Sequence, residues 1–238
     1  MKDFLRLSVS LALGALLSTA ASAAFESYKV NADNPLPEFP LSLKVDGITR
    51  GKAIIAVSIS DEGRPVDLLV LGSTHELFAK SCLAALPAWR FTPAKLDGTP
   101  VPVKTELTFD FSLEGAVISA NIVNHFFFDN YEGVVDRRLV RRECPARELD
   151  RPPVPLDGPA PKYAVEAEKA GVRGRVEVRF YIDEKGAVRM PVVASDASSY
   201  LAESAVTALR DWRFEPARQN GRPVLVAASQ EFDFGSTK

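Results

Sequence analysis

The chain is short of the residues that do chemistry. Its two histidines, His75 and His125, stand far apart among 238 residues, so no His-x-x-x-His pair can hold a metal from one helix face. It also lacks a Gly-x-Ser-x-Gly elbow, a phosphate-cradling glycine loop and any Cys-x-x-Cys. Hydrolytic, metal-dependent and nucleotide-dependent catalysis have no donor set, and neither a metal nor another cofactor is expected. The acid pairs Asp61-Glu62 and Asp183-Glu184 sit beside Gly63 and Gly186, which suits solvated turn carboxylates better than general acid–base work. Charge of one sign is missing as well. Against 29 basic residues stand 31 acidic ones, and a net charge of −2 is too weak a field to recruit nucleic acid or an anionic membrane.

Long apolar runs are absent except at the start. Lys2 and Arg6 precede an apolar stretch from Leu7 to about Ala20, and Ala21-Ser22-Ala23 follow before Ala24. Basic, then apolar, then small at alternate positions is the order of a cleaved secretory signal. The run falls short of the ~20 residues a spanning helix needs. Residues 1–23 are therefore expected to be a signal peptide, with an uncleaved membrane anchor as the alternative. Loss of Lys2, Asp3 and Arg6 would move the net charge to −3.

Cysteine is scarce too, which excludes a disulfide-dense scaffold. Cys82 and Cys144 are a candidate disulfide in an exported chain, and a loop of about 60 residues closed by it would add on the order of 4 kcal/mol. Cys82 also falls on an apolar stripe with Phe78, Ala85, Leu86 and Trp89, where a small buried side chain is equally suitable. Both readings stay open.

What the chain does have is a repeat. Ala85-Leu86-Pro87-Ala88-Trp89-Arg90-Phe91-Thr92-Pro93-Ala94 returns as Ala208-Leu209-Arg210-Asp211-Trp212-Arg213-Phe214-Glu215-Pro216-Ala217, a shift of 123 residues. The same shift lays Arg50-Gly51 on Arg173-Gly174, Gly63 on Gly186, and Phe109-Asp110-Phe111 on Phe232-Asp233-Phe234. One supersecondary unit is used twice, over residues 37–113 and 161–235. Residues 24 to 36 read as an unstructured lead-in.

Each unit reads as helix, strand, strand, helix, strand. In the second, residues 164 to 170 form a short helix that Gly171 can close. Val176, Val178, Phe180 and Ile182 then alternate with Glu177, Arg179, Tyr181 and Asp183, the pattern of a half-buried strand. The first unit keeps the inward set as Ala53, Ile55, Val57 and Ile59, but its outward set is Ile54, Ala56 and Ser58, so that face is expected to be covered. Gly63 and Gly186 supply hairpin turns. Leu201, Ala205, Ala208, Leu209 and Trp212 mark a helix that Pro216 terminates. A last alternating strand runs from Val224 to Phe234. The fold class is α+β: two tandem small domains, each a three-stranded antiparallel sheet backed by helices.

Between the units, residues 114–160 hold large apolar side chains (Val117, Ile118, Phe126, Phe127, Phe128, Tyr131) that must pack, with the uncharged face of repeat one as first candidate. Pro152, Pro153 and Pro155 read as a stiff hinge. Trp89, Phe91, Trp212 and Phe214 read as structural core, each tryptophan burying ~200 Å². Without catalysis, a small sheet offers its edge, whose unpaired N–H and C=O groups can accept an extended peptide. Pro102 removes a donor from the last strand of repeat one, whereas that of repeat two carries no proline after Pro223. The second edge is the better acceptor, unless the other repeat or a second copy of the chain already pairs with it.

Pro161-Lys162-Tyr163, Gly171-Val172-Arg173-Gly174-Arg175-Val176, Ile182-Asp183-Glu184-Lys185-Gly186 and the Trp212-Arg213-Phe214-Glu215-Pro216 run resemble the TonB C-terminal domain family. Repeat one resembles it through Gly47-Ile48, Arg50-Gly51, Asp61-Glu62-Gly63 and Trp89-Arg90-Phe91-Thr92-Pro93. The resemblance implies a non-catalytic periplasmic module that grips the TonB box of a TonB-dependent outer-membrane transporter by strand addition. The partner-binding strand it implies is Leu225, Val226, Ala227, Ala228, Ser229, Gln230, Glu231 and Phe232. The chain departs from the standard transducer in three ways: its N-terminal segment has no histidine, the Pro-rich rod is missing, and the domain is duplicated. Three readings stand: a periplasmic binder of an envelope protein, a membrane-anchored energy transducer for transmembrane transport, and a structural module with closed sheet edges.

Overall fold

The computed structural model describes residues 25–113, 115–119, 140–163, 165–169, 171–194 and 198–235. The N-terminal leader expected over residues 1–23 lies outside them, as do His125 and the aromatic cluster at residues 126–131. Repeat one opens with helix α1 (Ser42–Val45) and strands β1 (Arg50–Ile59) and β2 (Pro65–Ser73). Helix α2 (Glu76–Ala85) and strand β3 (Val103–Ser112) complete it. Period-two alternation puts Ala53, Ile55, Val57 and Ile59 of β1 at 0% exposure, facing α2. Phe78 and Cys82 of α2, with Trp89 beyond its end, fill the space over them. Trp89 meets Phe109 of β3 edge-on at 5.6 Å.

The sheet of repeat one is wider than the three strands its sequence predicts. β4 (Gly115–Ser119) pairs antiparallel outside β3, and β5 (Val140–Arg141) pairs antiparallel outside β2. The order is β5-β2-β1-β3-β4. Both added strands come from the inter-repeat segment.

Repeat two has α3 (Val165–Lys169), β6 (Arg175–Ile182), β7 (Val188–Val193), α4 (Ser199–Arg210) and β8 (Val226–Asp233). Its sheet has three strands in the order β7-β6-β8. The turn glycines are required twice over. Gly63 and Gly186 have φ +75° and +79°, and a Cβ on them would stand 2.0 Å from the Phe91 carbonyl oxygen and 1.9 Å from that of Phe214. Each turn carbonyl in return accepts from the N–H of that phenylalanine at 2.9 Å. The hairpin is thereby tied to the chain leaving the helix in both units.

The lead-in, expected to be unstructured, and the proline stretch, expected to be a stiff hinge, are both ordered straps. The lead-in pairs Phe25–Glu26 with residues 95 and 96 and Lys29–Val30 with 91 and 92, and Tyr28 is buried in the core of repeat one. The proline stretch is a strap too, not a hinge. Arg151 is hydrogen-bonded to Glu215, the N–H of Glu215 donates to the Val154 carbonyl at 2.9 Å, and Pro155–Asp157 pairs with Arg213–Phe214. Each strap ends on its tryptophan: Trp89 Nε1 donates to the Pro35 carbonyl at 2.8 Å and Trp212 Nε1 to that of Pro159 at 3.0 Å. Proline lacks an N–H and favours extended backbone, so it reads as linker although its carbonyl remains a good acceptor.

Among the described residues, the uncharged face of repeat one is covered by repeat two. Ala56, Leu69 and Leu71 form one buried cluster with Tyr181, Met190 and Leu225, joined by Ile54 and Ala227. Polar contacts ring this cluster. Arg189 forks onto Asp67, with Nε to Oδ2 at 3.1 Å, and also reaches the Leu68 carbonyl. Arg142 meets Glu184 at 2.9 Å, and Tyr181 donates to Glu106 at 3.4 Å with the Lys104 ammonium 4.4 Å above its ring. The two sheets thus pack back to back, each with its own helix-side core outward of the seam.

Candidate functional site

β8 borders the sheet of repeat two. Its ladder with β6 runs without a slip from Arg175 opposite Asp233 to Ile182 opposite Val226. On the β6 side, Phe234 N–H donates to the Gly174 carbonyl at 2.9 Å; on the far side, the Leu225 carbonyl accepts from Cys144 N–H at 2.7 Å. Backbone groups alternate in direction along a strand. Val226, Ala228, Gln230 and Phe232 therefore turn N–H and C=O toward β6, and Ala227, Ser229, Glu231 and Asp233 turn theirs outward. Among the described residues no strand pairs with that outward side.

The strand expected from Leu225 to Phe232 is accordingly shifted. Leu225 is 1% exposed in the inter-repeat cluster, and its outward carbonyl already belongs to Cys144, beside a single parallel bridge to Glu143. The open edge starts at Ala227 and extends to Asp233, a residue beyond the expected stretch. Nothing local in the sequence marks this clamp, because Cys144 and Leu225 lie 81 positions apart along the chain.

Side chains hold the strand from one face. Val226, Phe232 and Phe234 are buried in the helix-side core, and Ala228 packs against it. Trp212 meets Phe232 edge-on at 5.7 Å and Phe214 at 5.9 Å. Of the expected core residues, buried Phe214 and half-buried Trp212 support the edge from beneath, while Trp89 and Phe91 are buried in the separate core of repeat one. Arg90 and Arg213 cap the carbonyls of the tryptophans before them at 2.6 and 2.8 Å. The other face of β8 presents Ser229, Glu231 and Asp233 to solvent.

Repeat one shows the same edge filled. Thr108–Ser112 stands 123 residues before 231–235, and β4 pairs along all of it, from Thr108 opposite Ser119 to Ser112 opposite Gly115. Pro102, expected to blunt this edge, lies just before β3, and β4 is what closes its far half. The charges differ as well. Lys52 bridges Asp110 at 3.3 Å in repeat one, with Ile54 opposite Thr108. In repeat two Arg175 is shared between Glu231 at 3.5 Å and Asp233 at 3.8 Å, while Glu177 stands opposite Glu231.

The remaining candidates are structural. His75 caps α2, its Nδ1 accepting from Leu77 N–H at 3.2 Å. Asp183 accepts from the Lys185 and Ala187 N–H groups inside its turn, both at 2.9 Å. Cys82 and Cys144 are free thiols: the first lies in the core of repeat one, where burial pushes it up to about 12, and the second lies next to Leu225. Among the described residues no helix is long and apolar enough to cross a membrane.

Two stretches, residues 35–113 and 159–235, match the family described as Gram-negative bacterial TonB protein C-terminal. Each begins at the proline that accepts the tryptophan hydrogen bond. Protein TonB of Vibrio cholerae serotype O1 is 30% identical over 105 residues, which cover 41% of this chain and 43% of that protein. The chain thus matches less than half the length of that relative. The solution NMR structure of the Pseudomonas aeruginosa TonB C-terminal domain is 32% identical, over 36% of this chain and 88% of that one, with a TM-score of 0.31.

Proposed function

Because this chain belongs to the family of Gram-negative TonB C-terminal domains, we propose that it is a non-catalytic envelope protein that takes up an extended segment of a partner on the edge of β8. The observation that carries this reading is the contrast between two equivalent edges, one filled by β4 and the other, from Ala227 to Asp233, paired with no strand among the described residues. An open edge with aligned donors and acceptors pairs with extended chain at little cost in ordering, since β6 and the Trp212–Phe232 contact already hold it. Ser229, Glu231 and Asp233 keep it polar, which limits indiscriminate edge-to-edge association. The partner of first choice is the TonB box of an outer-membrane transporter, which would give the protein a part in transport across the envelope.

The proposed location is the periplasm, reached through a cleaved leader. Mass spectrometry of the mature N-terminus separates this from an anchored energy transducer: Ala24 as first residue supports the former, and an intact Met1 in the membrane fraction the latter. Binding is tested in cells with a photoreactive residue at Ser229 and, as comparison, at Thr108. An adduct with an outer-membrane protein is expected at Ser229 alone. No adduct at Ser229 removes the reading and leaves the structural module.

A further inference from the structure

The chain that joins the repeats passes around the start of β8. Val140–Arg141 still belongs to the sheet of repeat one, and Arg142 N–H donates to the Leu71 carbonyl of β2 at 2.8 Å. Glu143 then bridges Leu225, and Cys144 N–H donates to the Leu225 carbonyl at 2.7 Å. Ala146–Glu148 forms a 3₁₀ turn beside β8, and Leu149 packs on the helix-side core of repeat two. Leu71 and Leu225 lie in the seam. The residues from Glu143 to Leu149 therefore carry the chain around the margin of β8, from its seam face to its helix face, and a strand added to that margin meets this wrap.

The wrap is anchored at both ends. Before it, Arg142 pairs with Glu184 at 2.9 Å. After it, Asp150 accepts from the Asn220 and Gly221 N–H groups at 2.7 and 2.8 Å and donates its own N–H to the Arg218 carbonyl at 2.8 Å. A segment pushing past Ala227 would exchange the Cys144 hydrogen bond for another of the same kind while giving up the packing of Leu149, so it gains nothing. Repeat one shuts the same point by other means. Leu225 stands 123 residues after Pro102, whose nitrogen carries no proton, and β4 reaches back only to Thr108.

Resting on the reading that β8 is a docking edge, we infer that the wrap at Glu143–Leu149 is a stop that sets the length of the segment this edge accepts. The paired run spans at most the seven residues from Ala227 to Asp233. Beside Ala227 the partner must leave the ladder, at a proline, at a glycine turn or at a chain terminus.

The test uses the full chain and peptides containing a TonB box, cut to five, seven, nine and eleven residues and lengthened at either end. Affinities are taken from calorimetry, and the β8 amides are followed by NMR. Affinity is expected to climb on the order of fivefold for every two residues up to seven and then to level off. With residues 143–149 replaced by seven Gly and Ser residues, and the β6 amides reporting an intact repeat two, the climb should continue to nine and the Leu225 amide should shift on binding. Cys144→Pro, which removes only the donor to Leu225, should move the same way by a smaller factor, and it carries the test if the larger replacement does not fold. A climb past seven in the unaltered chain, or levelling at seven in every variant that folds, overturns the stop while docking stands. If no peptide shifts the Ser229 and Glu231 amides of the unaltered chain at millimolar concentration, docking and the stop fall together.

Discussion

At the scale of single residues, one position in each repeat has its side chain removed for two reasons at once. Gly186 sits at φ +79° with the Phe214 carbonyl oxygen 1.9 Å from any Cβ, whereas Gly221 sits at φ +74° with nothing within 4 Å. Gly221→Ala should cost roughly 1–3 kcal/mol from backbone strain. Gly186→Ala should cost clearly more, because the hairpin must also release the Phe214 N–H bond. Urea denaturation of both variants checks the order, and equal losses would show that the close approach does not matter. A sequence reader sees two turn glycines of equal standing. The second constraint comes from a strand far along the chain.

At the scale of the element, the direction of backbone groups in β8 makes an alternating prediction. Ser229 turns its N–H outward, so Ser229→Pro should leave the melting temperature nearly unchanged while removing peptide uptake. Gln230 turns its N–H toward β6, so Gln230→Pro should destabilise repeat two, by roughly 1–3 kcal/mol for the lost ladder bond and the carbonyl left without a donor. Thermal melts and titration with a TonB-box peptide check the pair. A Ser229→Pro variant that still binds would mean that the outward backbone is not what the partner reads. The strands themselves were readable from period-two alternation in β1, β6 and β8. The pairing of Gly115–Ser119 with Thr108–Ser112 was not, since Val117 and Ile118 have the same composition whether they extend an edge or cover a face.

At the scale of the whole molecule, the seam between the sheets sets how the repeats behave together. Leu71→Asp, which puts a charge into the cluster of Leu69, Tyr181, Met190 and Leu225, should part the repeats while leaving each core intact. Small-angle scattering should then show a larger radius of gyration, and an unchanged profile would count against the seam. The seam is also sensitive to pH. Burial lowers Lys104 from 10.5 to about 8, so between about pH 8 and 10.5 the separated state holds a proton that the docked state does not. Docking is therefore weaker below pH 8 and strengthens as pH rises through that window. Above about pH 10 Tyr181, raised by burial, reverses the trend because only the separated state ionises it. Lys104→Met should remove the rise between pH 8 and 10, as measured by denaturation at each pH.

The sequence by itself determined the duplicated unit, its strands and helices, the turn glycines and the tryptophan anchors. All of these arise from local periodicity or from identity at a fixed spacing, which are properties of neighbouring residues. The loss of charge at Ile54, Ala56 and Ser58 even announced a covered face. Tertiary structure alone decided that Tyr181, Met190 and Leu225 cover it, that the prolines at 152–155 strap repeat two instead of serving as a hinge, and that β4 fills one edge while no described strand fills its twin. Those outcomes depend on which of several compatible surfaces meet. Apolar area and backbone hydrogen bonds drive such meetings without naming a partner in the residues on either side.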